Sequence, residues 1–290
     1  PGDEVIVPTN SFTASAMAIS QAGLQPVFAD VDPVTLNLSQ QALQSALTEN
    51  TRAVLAVHLC GQSCNIDLLN TFCQENNLLL YEDAAQSLGA QWQGQLSGSH
   101  GIASAFSFYP TKNLGSLGNA GAVATRSAEL ATTIRKLRNY GGIEKYSHEL
   151  VGSNSRVDEF QAAVLRVKLP FVNHAIARRC EIAKRYNEHI NSDIVSLPHY
   201  PDETTSHTWH LYMVRSAHRS KIINYLRKED IHCGIHYPVC IHKQEAYSSA
   251  AQKPLPHAEL AAEEIFSLPN FAALTDSQVS TVVDTINRYA

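Results

Sequence analysis

The chain has 290 residues, 44% of them hydrophobic, enough to bury one large or two moderate cores. Its 22 Lys and Arg against 27 Asp and Glu leave a net charge of −5. That balance argues against a general nucleic-acid or membrane-surface binder, while leaving room for a local basic pocket. No apolar run approaches the ~20 residues that cross a bilayer. No basic segment followed by an apolar one opens the sequence, so a soluble cytoplasmic protein is expected. The 6 cysteines include no Cys-x-x-Cys pair and read as reduced structural thiols; with the 13 histidines they form no Cys/His ligand cluster, and no metal is expected.

In chain order, apolar runs at Val5–Val7, Pro26–Val31, Ala53–Leu59, Leu78–Tyr81 and Ala103–Phe108 predict strands. Between the first four, apolar residues at three- and four-residue spacing predict helices near Phe12–Ala22, Ser39–Leu47 and Ile66–Asn76. Such alternation, with nearly all-apolar strands, gives an α/β fold: a mostly parallel central sheet covered by helices on both faces. A further strand is expected in 118–125, after a tight glycine loop. A long helical pattern starts near Asp158, is interrupted at Pro170 and resumes to about Ile190. It reads as a spine between a large domain (1–165) and a smaller α+β domain (166–290). In the latter, strands are expected at His210–Val214 and around Ile231–His236, and helices at Lys221–Lys228, Leu260–Ile265 and Ser277–Arg288.

Asp83 closes the apolar strand of LLLYEDAAQ. Ligands of open α/β sheets bind beyond the carboxyl ends of strands, although an aspartate there also suits a helix N-cap. Ser107 and Lys112 follow the next strand, in SFYPTKNLG, where a lone lysine would ordinarily be just solvated. The set is more telling than its members: a carboxylate at one strand end, then a hydroxyl and a lysine at another. Gly115, Gly118 and Gly121 follow, and could let backbone approach a bound group. A pyridoxal-phosphate (PLP) enzyme needs such a set: a lysine for the cofactor aldehyde, a carboxylate to keep the pyridine nitrogen protonated, and a hydroxyl for the phosphate. The freed lysine amine can then move a proton at the reacting carbon.

Eight blocks in order, PGDEVIVPTNSFTAS, PVFADVDPVTLNL, HLCGQSCNID, YEDAAQSLGA, SFYPTKNLGSLGNAGAV, RNYGGIEKY, GSNSRVDEFQAAVLRVKL and GIHYPVCIHKQEAY, resemble the DegT/DnrJ/EryC1/StrS sugar aminotransferases of PLP fold-type I. The resemblance implies that Lys112 is the Schiff-base lysine and that Asp83 faces the pyridine nitrogen. It puts Gln86 near the phenolic oxygen of the ring, Ser107 on the phosphate and Phe12 on the pyridine face, where an ordinary core aromatic is an equal reading. It sends Asn154 to the phosphate of a neighbouring subunit, so that a homodimer shares its active sites. The branch it resembles most acts on dTDP-3-keto-6-deoxyhexoses with glutamate as amino donor. Tyr109, Tyr146, His148, His236 and Tyr237 are then candidates for the sugar pocket.

Two departures from the family pattern stand out. Members carry several dozen residues before the PGDEV turn, including a glycine-rich strand–helix entry that forms half of the phosphate cup. Here the sequence starts at Pro1, inside that turn, and a natural protein beginning there would be expected to hold the cofactor poorly. Asn119 stands where Asp is usual. A truncated, non-catalytic cofactor-binding or regulatory relative is therefore one alternative. A PLP-dependent sugar dehydratase is another, although the subtype with histidine in place of the lysine is disfavoured by Lys112.

Overall fold

The computed structural model describes residues 2–201, 205–248 and 253–289. The chain opens with β1 (Glu4–Pro8), α1 (Ala14–Gln21), β2 (Gln25–Ala29), α2 (Gln40–Ala46), β3 (Thr51–Val57), α3 (Ile66–Glu75) and β4 (Leu79–Asp83). A short hairpin, β5 (Gln91–Trp92) and β6 (Gln95–Leu96), leads to β7 (Ala103–Ser107), β8 (Gly121–Ala124) and α4 (Ala128–Leu137). Then come α5 (Glu159–Lys168), α6 (Val172–His189), β9 (Tyr212–Arg215), α7 (Arg219–Lys228), α8 (Pro256–Glu264), β10 (Ile265–Leu268) and α9 (Asp276–Arg288).

The helix starts follow local chemistry. Ser39 and Asn65 accept the backbone N–H of Ala42 and Leu68, and Thr275 with Gln278 closes a capping box ahead of α9. Pro170 cannot donate to an α-helical ladder, and a short 3₁₀ turn at Leu169–Phe171 separates α5 from α6.

The main sheet has the order β2-β1-β3-β4-β7-β8. Its first five strands are parallel, and β8 joins antiparallel at the edge. The expected mostly parallel α/β sheet is therefore present. One core packs this sheet against α2 and α3 around Ile6, Leu43, Val54 and Leu69. Another is drawn wholly from residues 182–286, around Tyr186, Trp209, Tyr212 and Phe266. Two further cores mix early and late chain, for example Val7, Phe28, Ile241 and Leu255. Two expectations need correction. The segment around Ile231–His236 forms a single bridge, Gly234 to Ser267, and no strand. The helix expected to run through Ile265 stops at Glu264, because Ile265–Leu268 is a fully buried strand paired with β9. Ile265, Phe266 and Leu268, interrupted only by Ser267, follow the helix with no breaker before them, and so short an apolar stretch is assigned by periodicity to either state.

Strand alternation sends Glu82 and Asp83 to opposite faces of β4. Glu82 is 1% exposed. Its carboxylate lies 2.9 Å from His58 Nε2 and accepts the N–H groups of Gly98 (2.7 Å), His100 (2.7 Å) and Gly101 (2.6 Å). His58 Nδ1 in turn accepts the Cys64 N–H at 3.0 Å. Burial alone would raise the Glu82 pKa, but His58 and the backbone donors outweigh it and hold the group down at about 2. This knot fixes the strand end that carries Asp83. Glu82→Gln should cost about 3–5 kcal/mol in urea unfolding, because it breaks a buried, fully paired charge. The folded value lies below the ordinary 4.5, so the stabilisation is present above pH 4.5 and disappears as pH falls toward 2. The stability gap between wild type and variant should narrow over that window; a gap independent of pH would contradict the assignment.

Candidate active site

β3, β4 and β7 end side by side, with Val57 opposite Asp83 and Asp83 opposite Ala105. Beyond their carboxyl ends lies a cavity of about 1330 Å³, lined by Phe12, Asp83, Gln86, Ser107, Lys112 and Tyr237 among others. This is where an open α/β sheet presents ligands. Asp83 is held from two sides: Ser15 Oγ donates to Oδ2 at 2.8 Å, and the Ala85 N–H donates to Oδ1 at 3.0 Å. A turn rather than a helix follows, so Asp83 caps no helix. Lys112 sits on the loop after β7, its N–H bonded to Tyr109 O at 2.9 Å. Burial lowers the pKa of its ammonium, and the Asp83 carboxylate opposes that shift, so the two charges feel one another across the cavity. Cys60, beside them, is a neutral thiol whose pKa burial pushes up to about 12.

Gln86 is 8% exposed and spans two elements. Its Oε1 accepts the Cys60 N–H at 2.6 Å and its Nε2 donates to Tyr237 Oη at 3.1 Å. Ser107, at the end of β7, accepts the Tyr109 N–H through Oγ at 3.3 Å. Phe12 is 57% exposed, with its ring centroid 5.5 Å from that of Tyr237, so it is no core aromatic. Tyr109, His236 and Tyr237 also line the cavity. His236 Nδ1 lies 3.0 Å from Ser267 Oγ, and the bond from His236 to Tyr237 is cis.

Three sequence candidates lie elsewhere. Tyr146 and His148 line a separate open groove with Tyr140, and His148 Nδ1 meets Tyr140 O at 2.9 Å. Asn154 bridges Asn139, and its Oδ1 accepts from Arg156 Nε at 3.3 Å. Within one chain these residues do not reach the cavity. Of the three expected glycines, Gly121 lines the cavity, while Gly115 and Gly118 do not. A Cβ at Gly115 would stand 2.3 Å from Pro110 O, and one at Gly121 2.7 Å from Phe106 O, so both serve close packing of the protein against itself. His232 and His236 stand four residues apart, but no helix joins them; His232 pairs instead with Asp230 at 3.2 Å. Among the described residues no three His, Cys, Asp or Glu side chains converge as metal ligands.

Sequence reasoning missed four residues here. Ser15 fixes Asp83, Cys60 holds Gln86, and His210 and Arg179 form part of the cavity wall. Ser15 lies three residues after Phe12 in the first block, the one local signal that was available. The donor set suits a pyridoxal ring: an amine and a carboxylate in one cleft, an exposed aromatic at its mouth, a hydroxyl at the next strand end, and a buried His210 Nδ1 with no partner among the described residues.

The sequence pattern of the DegT/DnrJ/EryC1/StrS aminotransferase family matches residues 1–287. The chain belongs to that family. It is 43% identical over 288 residues to the dTDP-3-amino-3,6-dideoxy-alpha-D-galactopyranose transaminase of Aneurinibacillus thermoaerophilus, covering 99% of this chain and 79% of that protein. It is 40% identical over 298 residues to the dTDP-3-amino-3,4,6-trideoxy-alpha-D-glucose transaminase of Streptomyces venezuelae, covering 100% and 77%. Its fold superimposes on S. venezuelae DesV, solved in complex with a ketimine intermediate, with a TM-score of 0.95 at 39% identity, covering 100% of this chain and 78% of that one. The ntda structure from Bacillus subtilis, with bound cofactor pmp, matches with a TM-score of 0.89 at 28% identity, covering 99% and 67%. The family member described here is a PLP-dependent sugar aminotransferase, and neither the regulatory nor the dehydratase alternative is favoured. Among the described residues no helix is long and apolar enough to cross a membrane.

Proposed function

We propose that this aminotransferase moves the amino group of glutamate onto a nucleotide-linked keto-deoxysugar, with a dTDP-3-keto-6-deoxyhexose as the preferred acceptor. The observation that carries the reading is the placing of Lys112 and Asp83 in one cavity, close enough for the carboxylate to act on the ammonium. The named relatives, transaminases of dTDP-3-amino sugars, support the acceptor class.

In this reading Lys112 attaches the cofactor, Asp83 pairs with the pyridine nitrogen, Gln86 faces the phenolic oxygen, Phe12 covers the ring and Ser107 takes the phosphate. When bound, PLP supplies an electron sink for the pair released as the donor Cα–H bond breaks. The chain's own residues do the rest. Burial keeps more of Lys112 in the neutral form, which accepts and returns the proton at the reacting carbon. Ser15 and the Ala85 N–H keep Asp83 aimed. Gln86 ties Tyr237 to the loop at Cys60, and Tyr109, His236 and Tyr237 line the sugar side.

Residues 1–165 act as the large cofactor domain and 166–290 as the small one, and two copies share their sites. Exposed apolar side chains on and next to α5, with Phe160 at 65%, Val167 at 70% and Phe171 at 66%, support a subunit contact. Asn154, Tyr146 and His148 then serve the partner's cavity. The test is a half-reaction. Cofactor-loaded protein mixed with glutamate should release about one equivalent of 2-oxoglutarate per chain, and then aminate a dTDP-3-keto sugar as read by mass spectrometry. Absence of oxoacid, or an unaltered sugar, would contradict the reading.

A further inference from the structure

Arg179, on α6, is a buried cation in the wall of the active-site cavity, 8% exposed. Among the described residues it has no carboxylate partner: its Nη1 donates to the carbonyl oxygens of Trp209 (3.4 Å), His210 (3.2 Å) and Asn270. Nε and Nη2 donate to nothing among the described residues, and neither is sealed in the interior. Carbonyl dipoles alone leave the charge uncompensated, and burial lowers its pKa to about 10. Keeping an unpaired charge out of water is costly unless something completes it. Two other side chains of the same wall are also incomplete, since His210 Nδ1 and Asn270 Oδ1 are buried without partners among the described residues. Among the described residues Asp83 is the one carboxylate lining the cavity, and it already answers Lys112.

We propose that Arg179 is the anchor for a carboxylate of the amino-acid donor, gripping it with the edge of the guanidinium that Nη1 leaves free. Planar guanidinium and planar carboxylate match in a two-bond fork that neither an ammonium nor a neutral amide reproduces. Nη1 holds the loops at 209–210 and at 270, so the group is oriented before the donor arrives. Lys112, His210 and Arg179 line the one cavity, and after burial the charges of Lys112 and Arg179 hold the His210 pKa down, so the anchored end of the donor lies on the same wall system as the reacting amine. The inference rests on the amino-acid donor reading above and adds the residue that recognises the donor.

Cofactor-loaded wild type, Arg179→Lys and Arg179→Gln would be compared, with thermal melting to establish that each is folded. Should Arg179→Gln melt early, Arg179→Lys carries the test, because it keeps a charge and a donor for the carbonyls. The KM for glutamate should rise roughly 10- to 100-fold in both variants, the worth of hydrogen bonds to a charged group. The KM for the keto-sugar should stay within about 3-fold, a change too small to represent loss of one such bond. Calorimetric binding of glutarate, a dicarboxylate with no amine, should weaken in parallel. Alanine lacks the side-chain carboxylate and 4-aminobutyrate lacks the one beside the reacting carbon; the variant penalty should vanish for whichever lacks the gripped group. Unchanged glutamate KM and glutarate binding would overturn the proposal, as would a rise confined to the keto-sugar or shared equally by both substrates. Wild-type protein that releases no oxoacid from glutamate would instead remove the donor reading itself.

Discussion

Lys112→Ala is expected to reduce transamination by at least about 10²–10⁴-fold, the contribution of one positioned acid–base group. The side chain stands on a loop between β7 and β8, and among the described residues the carboxylate that shares its cavity is that of Asp83. Burial lowers its pKa, so the nucleophilic neutral amine is more populated at a given pH than on a solvated lysine. Among the described residues no other lysine lines the cavity, so removal leaves no amine there to replace it. The fold should survive, because the loop is held by main-chain bonds such as Lys112 N–H to Tyr109 O and Ser116 N–H to Phe108 O. Two readouts check this: single-turnover release of 2-oxoglutarate, and the visible absorption of bound cofactor. A variant within tenfold of wild type on the first, with an unchanged spectrum on the second, would remove Lys112 from the chemistry.

Asp83→Asn should cut turnover by about 10²–10³-fold, on the scale of deleting one preorganised electrostatic contact. The substitution isolates charge from shape. Asparagine Oδ1 can still accept the Ala85 N–H, and its amide can donate to Ser15 Oγ, so both contacts now made by Asp83 have replacements. What disappears is the negative charge needed to hold a pyridine nitrogen protonated. Melting temperature should therefore change little while kcat falls. A variant with normal kcat would show that Asp83 serves only the turn at 83–85.

Much of this was legible in sequence because the site sits on the strand ends. Apolar runs mark β3, β4 and β7, and the polar residues that close β4 and β7, Asp83 and Ser107, are ones the sheet presents to the cavity. The block pattern identified the family, and the family match confirmed it. Arg179 was illegible for a physical reason. In ARRCEIAKR it looks like one of several solvated helix charges, and only packing against the loops at 209 and 270 reveals that it is buried. Glu82 was hidden in the same way: the backbone donors that hold it come from Gly98, His100 and Gly101, a loop whose approach no local pattern announces. The helix α4 also went unread, although Ser127 caps it and Leu130, Ile134 and Leu137 recur at helical spacing; none of its ten residues is fully buried.

The measurement closest to the central claim is chemical trapping. The protein would be loaded with pyridoxal phosphate, reduced with borohydride, digested and mapped by mass spectrometry. We expect one cofactor per chain, fixed on the peptide containing Lys112, with incorporation markedly weaker in Asp83→Asn. Label on any other lysine, or none on the 112 peptide, would contradict the assignment of this cavity as the seat of catalysis.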